Sequence, residues 1–276
     1  MALNNTQLQN FCQHFLGYGN PKASLWFIGM EEGGGNSEGE IVARFAAWEK
    51  RGERSFEDMK ALCTATGHAD LLAWGSSNAP YQKTWCALIK QQGERENKPA
   101  LVNNPVVYQR TEWLTENGET CLLNLMPLPS KGIDSWQYGA WSDLPALRTR
   151  KLYTDAFVDA RIMAIREAIL EHRPKQVIFF GLSNREYWNR IKAGITELTG
   201  TAFDLIEHPA ARNKRESGVS TRSSMFDSAQ RTATLSSAGK GKDMTKEEYK
   251  VFFQQIYDEL GLSVLSGSRF INQRTV

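Results

Sequence analysis

Polar side chains of three kinds stand where apolar runs of this chain end. Glu31 and Glu32 follow the apolar run at 24–28 and precede Gly33, Gly34 and Gly35. Asn124 sits among leucines near the end of the run at 120–126. His208 follows the run at 203–207 and is itself followed by Pro209. A carboxylate can activate a water or stabilise a developing cation. An amide offers a donor and an acceptor together, and an imidazole can hydrogen-bond a developing oxyanion. Three glycines after the acids clear the loop of side chains, which lets a ligand approach the backbone. Each group also has a plainer reading. Glu31 and Glu32 are then a solvated acidic turn, Asn124 ties down a loop, and His208 is a core or capping histidine.

The elements that must position these groups read as alternating strands and helices. The runs at 24–28, 120–126, 176–180 and 203–207 are short, apolar and bounded by turn residues, as buried strands of a parallel sheet are. The first breaks off at Gly29, and Pro127 and Pro129 close the second. Helical spacing runs through 5–16, 40–50 and 155–172. Ser55 with Asp58 opens a helix to about residue 66, Pro80 opens one through 92, and Ser183 with Glu186 forms a capping box for another. Residues 18–21 read as a turn, and 97–117 give mixed signals. The loop at 130–143 holds Trp136, Tyr138 and Trp141, either as a cover over a pocket or as a satellite core. This pattern predicts an α/β fold, a three-layer α/β/α sandwich around a mostly parallel sheet of four or more strands, in one domain spanning 1–276. Ligands of such open sheets bind outside the carboxyl ends of the strands, where all three polar groups fall.

Composition narrows the class. With 41% apolar and 23% charged residues the chain reads as an ordinary globular protein. No apolar run approaches a bilayer span, and residues 1–5 lack a signal-peptide pattern. Cys12, Cys63, Cys86 and Cys121 form no CxxC pair and lie in apolar surroundings, so they read as reduced core thiols of a cytoplasmic protein. The four histidines are scattered; neither a metal site nor another cofactor is expected. The net charge of +2 is unevenly spread, because seven basic residues face two acids between His208 and Lys242. A basic, flexible segment at 210–243, before a final helix at 245–260, suggests a surface facing phosphate or a solvated loop.

The order of these motifs resembles the uracil-DNA glycosylase superfamily. Gly29-Met30-Glu31-Glu32-Gly33 is similar to its first motif, with Glu32 where the family has proline. Leu122-Leu123-Asn124-Leu125 resembles its middle strand, Val177-Ile178-Phe179-Phe180-Gly181 the next, and His208-Pro209-Ala210 its second motif. The resemblance covers about residues 18–215. It implies a DNA glycosylase that flips a base from DNA and hydrolyses its N-glycosidic bond, leaving an abasic site. In register, Glu31 takes the water-activating position, with Glu32 second, and His208 stabilises the departing base. Gly29, Met30, Gly33, Phe45 and Asn124 are expected to bind substrate, although Phe45 also fits the apolar face of its own helix. Arg212, Asn213, Lys214 and Arg215 are expected to bind DNA, with Met225 or Phe226 as a wedge in the base stack. The cysteines do not match the family's iron–sulfur spacing. In uracil-specific members a bulky tyrosine stands two residues after the acid and excludes substituents at carbon 5. Gly33 stands there instead, so pyrimidines modified at carbon 5, such as the substituted cytosines of some phage DNAs, are the expected target, with an antiviral role. A uracil or mismatch repair glycosylase, a non-catalytic reader of modified DNA and a small nucleoside hydrolase are the alternatives. A monomer acting on DNA, without a membrane partner, is expected.

Overall fold

The computed structural model describes residues 3–68 and 82–209. Helix α1 (Asn5–His14) is capped by the Asn4 side chain, which accepts from the backbone of Thr6 and Gln7. Strands β1 (Gly17–Gly19) and β2 (Leu25–Glu31) follow, then α2 (Glu38–Lys50), β3 (Phe56–Glu57) and α3 (Met59–Ala65). Beyond residue 81 come α4 (Lys83–Arg95), α5 (Pro99–Asn103), α6 (Pro105–Thr111), β4 (Thr120–Met126) and the short α7 (Tyr138–Trp141). The long α8 (Arg150–His172), β5 (Gln176–Phe180), α9 (Arg185–Lys192), α10 (Ile195–Thr199) and β6 (Ala202–Ile206) complete the described chain.

The fold is α/β, with a six-stranded, mostly parallel sheet ordered β3-β1-β4-β2-β5-β6. Only β1 against β4 is antiparallel. Trp26, Phe27 and Ile28 of β2 are all fully buried, as a strand covered on both faces requires. Trp26 lies 5.9 Å from His172 of α8, and Phe27, on the opposite face, lies 6.0 Å from Trp113. Strand β2 occupies the point where the connections part. From β2 the chain passes to β4 on one side, then crosses back to β5 on the other. Ligand crevices of open α/β sheets form at such a switch point.

Several elements differ from the sequence reading. Strand β2 does not break off at Gly29 but continues to Glu31, because Glu31 pairs with Met126 of β4. The turn expected at 18–21 begins as strand β1, too short to carry a periodicity. Helix α8 starts at Arg150, five residues before the expected 155, because the Thr149 side chain accepts from the Leu152 backbone and caps it there. Its end does follow the sequence: Arg173 takes a left-handed conformation just before Pro174. The capping box at Ser183 and Glu186 does not form. A 3-10 turn, Leu182–Asn184, leads into α9 without a side-chain cap. Asp58, not Ser55, caps α3 by accepting from Ala61. The unassigned stretch at 97–117 holds α5 and α6, each opened by a proline. All four cysteines are buried and none is in a disulfide, and burial pushes the Cys12 thiol up to about 12. Among the described residues no helix is long and apolar enough to cross a membrane. The basic segment at 210–243 and the helix expected at 245–260 lie outside the described residues.

Candidate functional site

The alternation of β2 puts Gly29 and Glu31 on one face and Met30 on the other. Asn124 pairs with Gly29, and Met126 with Glu31, so Asn124 shares that face. Phe180, at the end of β5, crosses directly over Gly29: a Cβ there would fall 2.2 Å from the phenyl ring. Gly29 is therefore glycine because an aromatic ring occupies the space of its side chain. The ring of His208, two residues past Ile206, lies 5.5 Å from that of Phe180. Asn124, Gly29 and Phe180 thus form one row across three adjacent strands, continued by His208 just past the end of β6, with Glu31 at its rim.

Asn124 is 4% exposed, and its backbone N–H donates to the Leu16 carbonyl at 3.2 Å. Its carbonyl accepts from Arg161 Nη2 at 2.9 Å, while Arg161 Nε donates to the Leu125 carbonyl at 2.9 Å. Arg161 is almost fully buried in α8, and burial draws its guanidinium down to about 10. The end of β4 is therefore fastened by its backbone. The Asn124 side-chain amide, in contrast, makes no hydrogen bond to another described residue. A buried amide is costly unless its donor and acceptor both find partners.

The two acids have different surroundings. Glu32 is held by Arg44 of α2 in a fork, Nη1 to Oε2 at 2.8 Å and Nη2 to Oε1 at 3.0 Å. The Tyr18 hydroxyl of β1 donates to the same Oε2 at 2.6 Å and accepts from Arg44 Nη1 at 2.6 Å. Three of the roughly four acceptor positions of a carboxylate are thereby taken. Glu32 stands as a tie between β1, α2 and the loop rather than as a group open to substrate. Glu31 is held on one side only. Arg150 Nη1, from the first residue of α8, donates to both its oxygens, at 2.7 Å to Oε1. Burial raises the Glu31 carboxyl above its ordinary value, and Arg150 works against that rise. The imidazole of His208 is drawn below its ordinary value by burial. Burial therefore favours the neutral imidazole.

The glycine loop is closed by its own helix. Glu40, in the first turn of α2, accepts from the backbone of Gly35 at 3.0 Å and of Asn36 at 2.9 Å. Burial opposes the charge of Glu40, but the bonds from Asn36 and Gly35 outweigh it and hold the carboxyl below its ordinary value. Gly35 has φ +67°, and a Cβ there would fall 2.6 Å from the Pro129 carbonyl. Gly33 differs: a Cβ at that position would meet nothing within 4 Å. The loop is a tight collar with one open position.

Not every expected residue joins this group. Phe45 is fully buried in α2, its ring 4.8 Å from Phe11, so the core holds it and no base can reach it. Met30 turns to the opposite face and packs against the core, leaving only its backbone near Glu31. Arg212, Asn213, Lys214, Arg215, Met225 and Phe226 lie outside the described residues. Two residues that sequence reasoning passed over belong to the site. Phe180 was read only as part of a strand, and its one signal is its position at the strand's carboxyl end. Arg150 stands in no motif, and its partners Glu31, Ser130, Gly132 and Ser135 are brought to it by folding alone. Of the aromatics at 130–143, Tyr138 is buried and donates to the Pro129 carbonyl at 2.9 Å, and Trp136 packs 4.9 Å from Tyr153. They form a satellite of the core that braces the site. Comparison of the chain with protein-family models, curated proteins and solved structures found no match.

Proposed function

We propose that this protein is a monofunctional DNA glycosylase, built as a three-layer α/β/α sandwich, that extrudes a pyrimidine and hydrolyses its N-glycosidic bond. The reading rests on the motif order that resembles the uracil-DNA glycosylase superfamily. The observation that carries it is Asn124, a buried side-chain amide in register with Gly29 at the switch point of the sheet. Such an amide can read a Watson–Crick edge by donating and accepting at once.

The roles follow from the surroundings. Bond cleavage builds positive charge on the sugar and negative charge on the leaving base. Glu31 faces the first, orienting the attacking water and stabilising the oxocarbenium-like sugar while Arg150 fixes its rotamer. His208 faces the second, donating its N–H to a carbonyl oxygen of the base as charge develops there. Phe180, not Phe45, is the aromatic of this row, its ring against Gly29 and beside His208. Gly33 leaves the carbon 5 side open, and this favours pyrimidines with bulky substituents there over uracil alone. An enzyme with that preference would act on invading DNA with modified cytosines, an antiviral role in the cytoplasm, as a monomer.

One observation favours a second reading. Both acids are ion-paired, which suits a reader that senses a modified base without cutting. A single experiment separates the two. Duplexes containing uracil, 5-hydroxymethylcytosine or glucosylated 5-hydroxymethylcytosine are incubated with the protein. Released bases are identified by mass spectrometry, and abasic sites by alkaline cleavage. Release of the substituted cytosines supports the proposal. Release of uracil alone makes it a repair glycosylase, and binding without release makes it a reader.

A further inference from the structure

One face of α8 carries polar side chains that all end on the chain leaving β4 or on the acid beside it. Arg150 and Arg161 are separated by about three helical turns, so they lie on the same face, with Tyr153 between them. Arg150 serves Glu31 and the carbonyls of Gly132 and Ser135. The Tyr153 hydroxyl accepts from the Leu128 N–H at 3.0 Å. Arg161 donates from Nη2 to the Asn124 carbonyl and from Nε to the Leu125 carbonyl, each at 2.9 Å. The sheet leaves the Asn124 carbonyl open for this. Strand β1 pairs with β4 no further than Leu123, and the last bond on that side runs from the Asn124 N–H to the Leu16 carbonyl. The N–H and C=O of a strand residue point to the same side, so the Asn124 carbonyl points past the end of β1. Arg161 meets it there.

A guanidinium is a costly group for that place. Arg161 is 1% exposed, and among the described residues no carboxylate pairs with it. Its Nη1 meets no hydrogen-bond partner. The ionisable groups beside it are the Cys12 thiol and the Tyr153 hydroxyl, and burial keeps both neutral. With its own value near 10, the guanidinium stays charged at neutral pH. A cation buried without a counterion costs stability, and an apolar side chain of similar volume often serves a core better. What the guanidinium does that an apolar or singly donating side chain cannot is span two successive carbonyls with one rigid, planar fork. Held at both carbonyls, the backbone on the carboxyl side of Asn124 has one orientation. Asn124 is the residue whose side chain shares a sheet face with Gly29 and Glu31.

We propose that Arg161 is a positioning residue of the site, which sets the direction of the Asn124 side chain against the base by holding the carbonyls of Asn124 and Leu125. This rests on the glycosylase reading. Arg150, on the same helix face, holds Glu31, so α8 fixes the base-reading amide and the acid relative to one another. Such an arrangement tolerates little error, since a displacement of about 1 Å in a reacting geometry can cost on the order of 10²-fold in rate.

The test uses the full chain with Arg161→Met and Arg161→Lys, each alone and combined with Asn124→Ala. Base release from duplexes carrying uracil or 5-hydroxymethylcytosine is measured in single turnover, at a temperature where circular dichroism shows every protein folded. Arg161→Met should lower the release rate about tenfold or more, and Arg161→Lys, which keeps a charged donor, should recover part of that loss. With Asn124→Ala already present, Arg161→Met should cost no further factor, because the group it positions is gone. An equal loss in both backgrounds is what a general structural role produces, and it overturns the proposal. A wild-type rate in Arg161→Met overturns it as well. Should Arg161→Met not fold, NMR of Arg161→Lys decides. The side-chain amide signals of Asn124, assigned by their absence in Asn124→Ala, should shift, and unmoved signals overturn the positioning role. If the wild type releases no base from either duplex, the glycosylase reading falls on its own, while the NMR comparison still decides whether Arg161 sets Asn124.

Discussion

The same substitution one residue apart should separate catalysis from stability. Glu32→Gln removes the charge facing Arg44, whose side chain is only 13% exposed, against 15% for Glu32. Arg44 then keeps the Tyr18 hydroxyl and one amide oxygen in place of a full carboxylate. Breaking a buried pair costs about 3–5 kcal/mol, and the retained bonds put this case near 3. For a chain of this size that is a fall in Tm of roughly 6–12 °C. Glu31→Gln leaves Arg150 with three other acceptors, Ser130 Oγ and the Gly132 and Ser135 carbonyls, and its side chain is 26% exposed. The expected loss is about 1 kcal/mol. It also depends on pH. Glu31 is raised in the folded state, so its favourable contribution is complete below the unfolded value and is lost as pH rises through the folded value. The stability gap between wild type and Glu31→Gln should therefore narrow as pH rises from the acid side toward neutrality. Base release should behave in reverse, falling about 10²–10³-fold in Glu31→Gln and little in folded Glu32→Gln. Urea or thermal unfolding at two pH values, beside single-turnover base release, measures both. A stable but inactive Glu32→Gln, with an active Glu31→Gln, would refute the assignment of the two acids.

Three other perturbations test neighbouring parts of the argument. Arg150→Met removes the cation that opposes the rise of Glu31, so the acid limb of the pH–rate profile should move to higher pH; a profile with an unmoved limb would mean that Glu31 is not the titrating group. Gly33→Tyr should fold normally, since a side chain there meets open space, and should lose release of bulky cytosines while keeping any release of uracil. Gly29→Ala drives a methyl into the Phe180 ring, where backbone and phenyl must both shift. It should destabilise by about 1–3 kcal/mol and disturb His208 beyond it, seen as a change in the imidazole proton shifts by NMR.

The sequence alone determined the parts of this protein that follow from local pattern. Strand β4 and strand β5 fall on the expected residues because an apolar run bounded by turn residues can be buried in few other ways. The placing of Glu31, Asn124 and His208 near the carboxyl ends of strands was likewise legible, because the apolar runs stop close to them. What the sequence could not determine is which distant groups meet there. Glu31 and Arg150 are 119 residues apart, and no spacing rule links a strand-end acid to the first residue of a helix begun by Thr149. The division of labour between Glu31 and Glu32 is decided in the same way. Adjacent and identical in type, they differ only because alternation turns one toward Arg150 and the loop brings the other to Arg44 and Tyr18. Phe45 shows the converse: its helical spacing suited both core and site, and only the packing of α1 on α2 closed it off. Ile133 could be read as apolar but not as exposed, since the loop around it is held by the side chains of Arg150 and Ser130, which donate to its backbone carbonyls. Local pattern marks the runs that become elements, because their apolar spacing lies within a few residues. The partner of each polar group depends on contacts between elements far apart in the chain, and those exist only once the sheet has formed.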